Sequence, residues 1–588
     1  RPTVHLPQCV TQDRDPMKKT LFLLAAASLL TSCYEDKGNY DYSFATMNAI
    51  DSVQLVPKPL RAMGGDLIEF TQPLSVADTL QRIEVRFNQS VSTDLSQLDF
   101  QWMRSYRKGD AMVRDTITTP GYLDLYLPVG APMSYDVMLR IYDRSTTLSH
   151  YEKFKVATRP IFKNSLFFLH GEEGNVRLGN VEQLGGEIEA RSDAYALLFP
   201  TAENPVPKAN RLFYLAMMDI SEFMRPREAN FLVATSSDGD SRAFYPFGLQ
   251  SRWDNYKNFV LPQTNRGVLV PDQIGMTGDP SNQSNYYYLI TKDGQFATAR
   301  HYLSFKTPNT DGEKDYRVEA GAIGYEEFLF WDATYNRLLH INKDAAYGIW
   351  RERDALEAKL ENPIRDARVD FSQLPEGMSP VGKKALFAYV QYREDYEHAN
   401  PLFIFRDTLT GRNFLYELHQ LAASEKGGDK DDNGKGGGGN SDGPAYDINV
   451  EELQNFDPSN PRLILFNTYF PTNYLFYTKG GSLIRYNTNN GDNVVLYTAP
   501  AGYEIACMKL RQENTFVYSG DLGLYLSLGL NKGENGAVVE LKFNTNGDLD
   551  KTFPSNFVDR DNDGVPFGKI LDVQFVHEYS YQTPDYMQ

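Results

Sequence analysis

Between residues 135 and 143 the side chains alternate, with Tyr135, Val137, Leu139 and Ile141 falling on one face and Asp136, Arg140 and Tyr142 on the other. A period of two marks a strand with one buried face. Asp143 begins a turn, and Phe154 with Val156 continues the pattern in a partner strand. Phe100 and Trp102 belong on a central strand packing across the core. Shorter alternating segments read the same way, and together they predict an immunoglobulin-like β-sandwich over residues 51–160.

From Asn164 onward the pattern changes. An apolar run meets a tight polar turn containing Gly, and another strand follows. Residues 166–169 precede the turn at 171–174, 231–234 precede 236–240, and 286–290 precede 292–294. The segments 328–331, 402–405, 474–477 and 538–543 follow the same plan. Recurrence at irregular spacings near roughly 50 residues suits a β-propeller blade, because each small sheet hides both faces only against its neighbours. The predicted fold class is therefore all-β: a sandwich followed by a β-propeller-like domain over residues 161–588, with about seven blades at ordinary blade size.

The best single hairpin pairs residues 482–487 with Val494, Val495, Leu496 and Tyr497 across Asn489, Asn490 and Gly491. A row of further sandwiches would also give short strands with turns, but it leaves the repeat unexplained. Helix is expected only at 351–360 and 450–454, as insertions. Residues 424–443, with four consecutive glycines from Gly436 to Gly439, cannot bury apolar surface and predict a disordered surface insertion.

The N-terminal pattern is that of export. Lys18 and Lys19 follow Met17, residues 21–30 run apolar, and Leu30, Thr31, Ser32 and Cys33 form a lipobox. The apolar run is about half the roughly 20 residues that a membrane-spanning helix needs. Cleavage before Cys33 is expected, with residues 17–32 as signal peptide and 33–50 as a polar tether lipidated on Cys33. A plain signal peptide with Cys33 placed by chance is the competing reading. Residues 1–16 carry Asp13 and Asp15 just ahead of the positive region, where a secretory signal wants no acid. They are expected to be upstream sequence or a misplaced start, with Met17 as the true beginning.

Charge and cysteine content narrow the partners. The formal net charge is −18 with acids and bases interspersed, so a nucleic-acid backbone is excluded and an anionic lipid surface is unsuited. After processing, Cys507 is the one free thiol, and its apolar neighbours Ile505, Ala506 and Met508 predict a buried, inert group.

Recognisable chemistry is sparse. Asp559, Asp561, Asp563 and Gly564 have the alternating acids and turn glycine that open a calcium loop. The twelfth position is Ile570, so a full calcium site would need Asp572 or backbone carbonyls; a solvated turn is the competing reading. The similar Asp429, Asp431, Asn433 and Gly434 fall in the low-complexity insertion. The histidines are scattered, and no nucleophile elbow or phosphate-binding glycine loop is present. The paired acids Glu172 with Glu173 and Glu326 with Glu327 are expected to be solvated. No catalytic constellation emerges, so the expectation is a non-enzyme with no cofactor beyond a candidate calcium ion. Aromatic residues in polar surroundings are the candidate ligand contacts: Trp253, Tyr256, Tyr392, Tyr396, Tyr469 and Tyr474. Packing between blades is the competing role for each.

Cys33, Tyr34, Glu35, Asp36, Lys37, Gly38, Asn39, Tyr40, Asp41 and Tyr42 together resemble the opening of the PKD-like family lipoproteins of Bacteroidota, which are encoded beside starch-utilisation-type uptake systems. Residues 135–143 also resemble the penultimate strand of PKD domains. Glu35 and Asp36 resemble the acidic export signal that sends such lipoproteins to the outer face of the outer membrane, against a periplasm-facing anchor. The resemblance implies a surface-exposed, lipid-anchored accessory module that captures glycan or peptide for a TonB-dependent transporter and its partner lipoprotein. The alternatives are a propeller-based glycosidase or lyase, and a structural or adhesin subunit.

Overall fold

Strands make up almost every regular segment of the computed structural model. It describes residues 49–576 apart from 74–78, 128–133, 220–226, 253–262, 280–283, 301–304, 310–314, 324–326, 343–358, 393–398, 422–443, 467–472, 512–523 and a few single positions or pairs. Among the described residues no helix is long and apolar enough to cross a membrane. By contact the chain falls into two compact units, one drawing on residues 83–123 and 137–153, the other on 59–82, 124–136 and 154–588.

Nine strands occupy the N-terminal region: β1 (Ile50–Val56), β2 (Leu60–Ala62), β3 (Gly65–Thr71), β4 (Leu80–Gln89), β5 (Leu98–Lys108), β6 (Ala111–Thr118), β7 (Tyr122–Tyr126), β8 (Ser134–Asp143) and β9 (Leu148–Arg159). They form a three-stranded sheet, β1-β4-β7, and a six-stranded sheet, β2-β3-β9-β8-β5-β6, in which β3 and β9 run parallel. β8 buries Val137, Leu139 and Ile141, the row that its alternation predicts, and Asp143 extends that row inward. The Asp143 carboxylate accepts from the Ser145 amide at 2.8 Å, which starts the turn into β9. Trp102 on β5 is fully buried, and its indole N–H donates to the Pro120 carbonyl at 2.9 Å.

From residue 165 to residue 576, seven sheets of three to five strands succeed one another among the described residues. Six of them work outward along the chain from an inner strand, Ala209–Asp219, Pro271–Asp279, Val318–Ile323, Lys384–Tyr392, Ile464–Leu465 and Glu504–Leu510, and in the fifth sheet the earlier Arg368–Val369 is added beyond the outermost strand. In all but the last of these the second strand is the apolar run that the repeat exposes in the sequence, and it is buried on both faces. Phe328 and Phe330 pack towards Phe296 and Ile290 of the preceding sheet, whereas Leu329 and Trp331 pack towards Phe403 and Phe405 of the next. Leu475 and Tyr477 join one cluster and Phe476 the other. A strand covered on both sides shows no polar alternation, and its period of two instead sorts side chains between neighbours.

Seven apolar clusters of this kind fill the spaces between consecutive sheets, and the last joins the seventh sheet to the first through Leu166, Phe168, Val538, Ile570 and Phe575. The row of sheets is therefore closed, which is the propeller-type arrangement. In the seventh sheet the apolar run read from the sequence at 538–543 lies on the third strand, Asn535–Lys542, and the second strand is Tyr525–Lys532. The hairpin of Ser482–Asn487 with Asn493–Thr498 forms in antiparallel register.

The helix expected at 450–454 is a correction. Residues up to 452 belong to the strand Ala445–Glu452, in which Tyr416 pairs with Val450. Ile448 and Val450 pack on the cluster around Trp331 and Phe405, so burial against the sheet overrides a weak helical pattern. Residues 351–358 and the insertion at 424–443 lie outside the described residues, and Lys359–Pro363 is strand.

Closure joins two ends of the chain. Ile570–Val576 is the inner strand of the first sheet, paired antiparallel with Ser165–His170, and Arg177–Leu184 and Glu187–Arg191 lie outside it. Asp572, buried, accepts from the Leu212 amide at 2.8 Å and pairs with Lys509 Nζ at 2.7 Å, while Lys509 also donates to the Leu212 carbonyl at 2.5 Å. One carboxylate thus ties the last inner strand to those on either side. Asp572 is engaged here, so of the two ways of completing a calcium loop at 559–564 only backbone carbonyls remain.

His170 adds a second tie. The Gly568 amide donates to Nδ1 at 3.0 Å, so the ring proton sits on Nε2, 2.6 Å from the Ser192 carbonyl. Burial pushes the imidazole pKa below its ordinary value, opposed by the Ser192 hydrogen bond and the Asp193 and Asp561 carboxylates. Gly568 approaches Gly171 so closely that a Cβ would lie 3.0 Å from the Gly171 Cα.

Two outcomes follow. Asp572→Ala leaves Lys509 without its carboxylate in a closed interface and should cost on the order of 3 kcal/mol, read as a lower denaturation midpoint at unchanged slope. The fold holds His170 neutral, so its contribution is present above the ordinary imidazole value of 6.5 and is lost as pH falls below it towards the depressed folded value. Thermal unfolding should therefore show stability falling between neutral pH and about pH 5, with a shallower fall in His170→Gln.

Candidate functional site

The inner strands converge on a central cavity of about 490 Å³ lined by residues from all seven sheets. These strands interleave small residues, including Gly275, Ala320, Gly321, Ala322, Ala388 and Ala506, with larger apolar ones such as Ile274, Leu386 and Ile464. Close approach explains two of them: a Cβ on Gly275 would sit 2.0 Å from the Tyr288 ring, and one on Gly321 would sit 2.6 Å from Phe330. The Tyr288 hydroxyl donates to the Gly321 carbonyl at 2.7 Å, locking the second strand of one sheet to the inner strand of the next.

Charged residues enter this wall at Arg211, Asp272, Arg462, Lys509 and Asp572. Asp272 lies between two guanidinium groups, with Arg462 at 2.5 Å and Arg211 at 3.5 Å, and only 14% of its side chain is exposed. Lys509 and Asp572 face the same cavity. Aromatic rings complete the wall: Tyr389 packs on Phe466 with centroids 4.4 Å apart and on Phe387 at 5.7 Å. Burial drives the Tyr288 and Tyr389 hydroxyls well above the ordinary phenol value, with the Glu417 carboxylate adding to the effect at Tyr389. Both remain protonated donors at physiological pH. Burial likewise pushes up the Cys507 thiol, with the Asp572 carboxylate acting the same way and Lys509 and Arg211 opposing.

This cavity brings together residues that the repeat pattern does not single out: Arg211, Asp272, Arg462, Lys509 and Asp572. For Arg211 and Asp272 the available signal is a charge near the start of a stretch one strand before an apolar run, whereas Arg462, Lys509 and Asp572 have no such place in the repeat. Of the six aromatic candidates, Tyr474 is described: it starts the strand Tyr474–Lys479, is partly buried against the cluster around Phe476, and lies under Arg485 at 4.5 Å. Trp253, Tyr256, Tyr396 and Tyr469 lie outside the described residues, as does the Tyr392 side chain. Cys33, Glu35 and Asp36 also lie outside them.

The 559–564 loop is pinned on the outer edge of the first sheet. Asp561 accepts from Ser192 Oγ at 2.5 Å and from the Val565 and Asp563 amides at 2.8 and 3.1 Å. Asn562 accepts from the Ala190 amide at 2.8 Å, and Asp559 pairs with Arg560 at 2.9 Å. Among the described residues no group of three or more His, Cys, Asp or Glu side chains is arranged to hold a metal ion. Glu172 and Glu173 are exposed in the turn after His170, as expected, but Glu327 is buried.

An all-β chain whose small sheets close a ring around a polar-mouthed cavity is a propeller-type protein carrying an N-terminal β-sheet region. Residues 33–198 of it match the model of the PKD-like family, a match that runs past β9 into the first sheet of the ring. No curated protein matches the chain in sequence. Among solved structures, a quinonprotein alcohol dehydrogenase-like protein from Bacteroides thetaiotaomicron is similar at 11% identity with a TM-score of 0.35, over 88% of this chain and 99% of that one. The WD40 domain of SCAP from fission yeast is similar at 10% identity with a TM-score of 0.21, over 74% of this chain and 90% of that one. The propeller-type assignment rests on this chain's own strand order and packing.

Cys507 supplies a direct check of the wall. Its thiol should resist iodoacetamide in the native protein and react at least about 100-fold faster in denaturant, as read by mass spectrometry of the Cys507 peptide.

Proposed function

We propose that this chain is a non-catalytic binding module, tethered to an outer membrane by lipid on Cys33 and displayed outward through Glu35 and Asp36. It captures glycan or peptide for a TonB-dependent transporter and its partner lipoprotein. In this reading the seven sheets are the blades of a seven-bladed propeller, and the ligand enters at the mouth of the central cavity.

One observation carries the binding role: a cavity of about 490 Å³ with a charged mouth and an aromatic wall, built from every sheet of the ring. That volume lies within the range of ligand pockets, and a few convergent polar groups over an apolar lining suit recognition. The charged groups inside it are engaged with one another. Asp272 is held by two arginines and Asp572 by Lys509, an arrangement that favours presenting fixed charge over moving protons. The lipid anchor is supported by the lipobox ending at Cys33 and by the family match beginning at that residue.

The test is an affinity pull-down from mild-detergent membrane extract with the lipidated chain as bait. Co-purification of a TonB-dependent transporter is the expected result, and a bait that comes down alone opposes the uptake role. In parallel, a clickable fatty acid should label the wild-type chain and leave Cys33→Ser unlabelled.

A further inference from the structure

A second, smaller cavity of about 140 Å³ adjoins the mouth of the central one and shares Asp272, Gln273, Leu386 and Arg462 with it. Its charged lining is Lys292, Arg317, Lys384 and Arg462 against Asp272 and Glu319, four cations to two carboxylates. The local excess is +2, in a chain whose formal charge is −18. From these observations we infer that the mouth is a site for a carboxylate-bearing saccharide, with the acid held among Lys292, Lys384 and Arg317 and the sugar body lying against the aromatic wall.

The two acids in the lining are already committed. Asp272 is shared between Arg462 and Arg211. Glu319 accepts from the Ala385 amide at 3.0 Å through one oxygen and reaches Arg317 at 3.9 Å through the other. Asp293, next to Lys292 in sequence, is bound to Thr291 and to Gln295. Among the described residues neither Lys292 nor Lys384 has a carboxylate partner, and both ammonium groups are exposed. Two unpaired cations and a weakly paired guanidinium around one small cavity form a focused positive potential in an acidic molecule. An anion placed there gains charge-assisted hydrogen bonds without breaking an existing pair of comparable strength.

The fold explains why these groups meet. Lys292 sits on the turn after a second strand, Ser284–Thr291, and the next inner strand begins where the Val318 amide donates to the Gly294 carbonyl at 2.9 Å. Lys384 opens the following inner strand, beside Glu319. Three consecutive sheets thus place Lys292, Arg317 and Lys384 on one mouth. The saccharide body is favoured by the half-buried rings of Phe387 and Phe466, flat apolar surfaces in the lining of the adjoining central cavity.

This inference rests on the binding-module reading, so its test separates the two. Calorimetry on the full chain would compare a galacturonate trisaccharide, a neutral galactose trisaccharide and a tripeptide with a free C-terminal carboxylate. The acidic saccharide should bind best, weaken as salt rises, and lose about 10-fold or more in affinity in Lys292→Gln/Lys384→Gln, whose thermal midpoint should be unchanged. Equal binding of the neutral sugar, or acidic-sugar binding unaffected in the double variant, overturns the anionic site and leaves the module standing. Preference for the tripeptide replaces the saccharide with a peptide ligand and overturns the inference. If no probe binds, the inference and the use of this cavity for nutrient capture both fail.

Discussion

Burial of one strand per sheet on both of its faces is the constraint on which the ring depends. The segments Leu166 to Leu169 and Phe328 to Trp331 have no polar face to offer solvent, so each needs a neighbour on either side. Every such side chain contributes about 2 kcal/mol through area removed from water, and half of that contribution is out of reach of any sheet standing alone. A row of sheets with this property has two bare ends. The ends can be satisfied only by each other, and that is the work of the cluster joining Leu166 and Phe168 to Val538 and Phe575.

Closure then fixes what the inner strands can be. Seven of them crowd around one axis, where large side chains on every strand would collide and a cavity with no polar groups would leave carboxylates and ammonium groups nowhere to meet. The lining mixes glycine and alanine with larger apolar residues such as Ile274, Leu386 and Ile464, and Arg211, Asp272, Lys509 and Asp572 add charge to it. The same crowding holds Asp572 within reach of both neighbouring strands. Structural ties and candidate ligand contacts are thus drawn from one set of positions, separated chiefly by whether a charge already has its partner.

The legible part of this architecture is the part with the strongest hydrophobic contrast. Most second strands stand out because continuous apolar runs end at Gly-containing turns, and in the N-terminal sheets Val137, Leu139 and Ile141 announce their face by simple alternation. Inner strands give a weaker signal: around Asp272, Gln273, Ile274 and Gly275 a charge, an amide and a glycine break the apolar pattern, because a strand lining a polar-mouthed cavity needs no continuous hydrophobic run. The 450–454 segment misleads for the opposite reason, since its acids look helical until Tyr416 claims Val450 as a partner. Trp253, Tyr256 and their kind stand out in the sequence by their polar surroundings, whereas the aromatic residues in the cavity wall, such as Tyr389, sit in apolar stretches that look like ordinary core.

The pairing of Ser165–His170 with Ile570–Val576 also sets a timetable. Some four hundred residues intervene between partners that lie side by side, so on the chain's way out of the ribosome or through a membrane the first sheet is made long before its inner strand exists. Until then Ser165–His170 is an open edge with a bare apolar face, the kind of surface that pairs with the wrong strand or is held by a chaperone. The ring can be assembled in part from its beginning, but it becomes a closed object only when the last inner strand arrives.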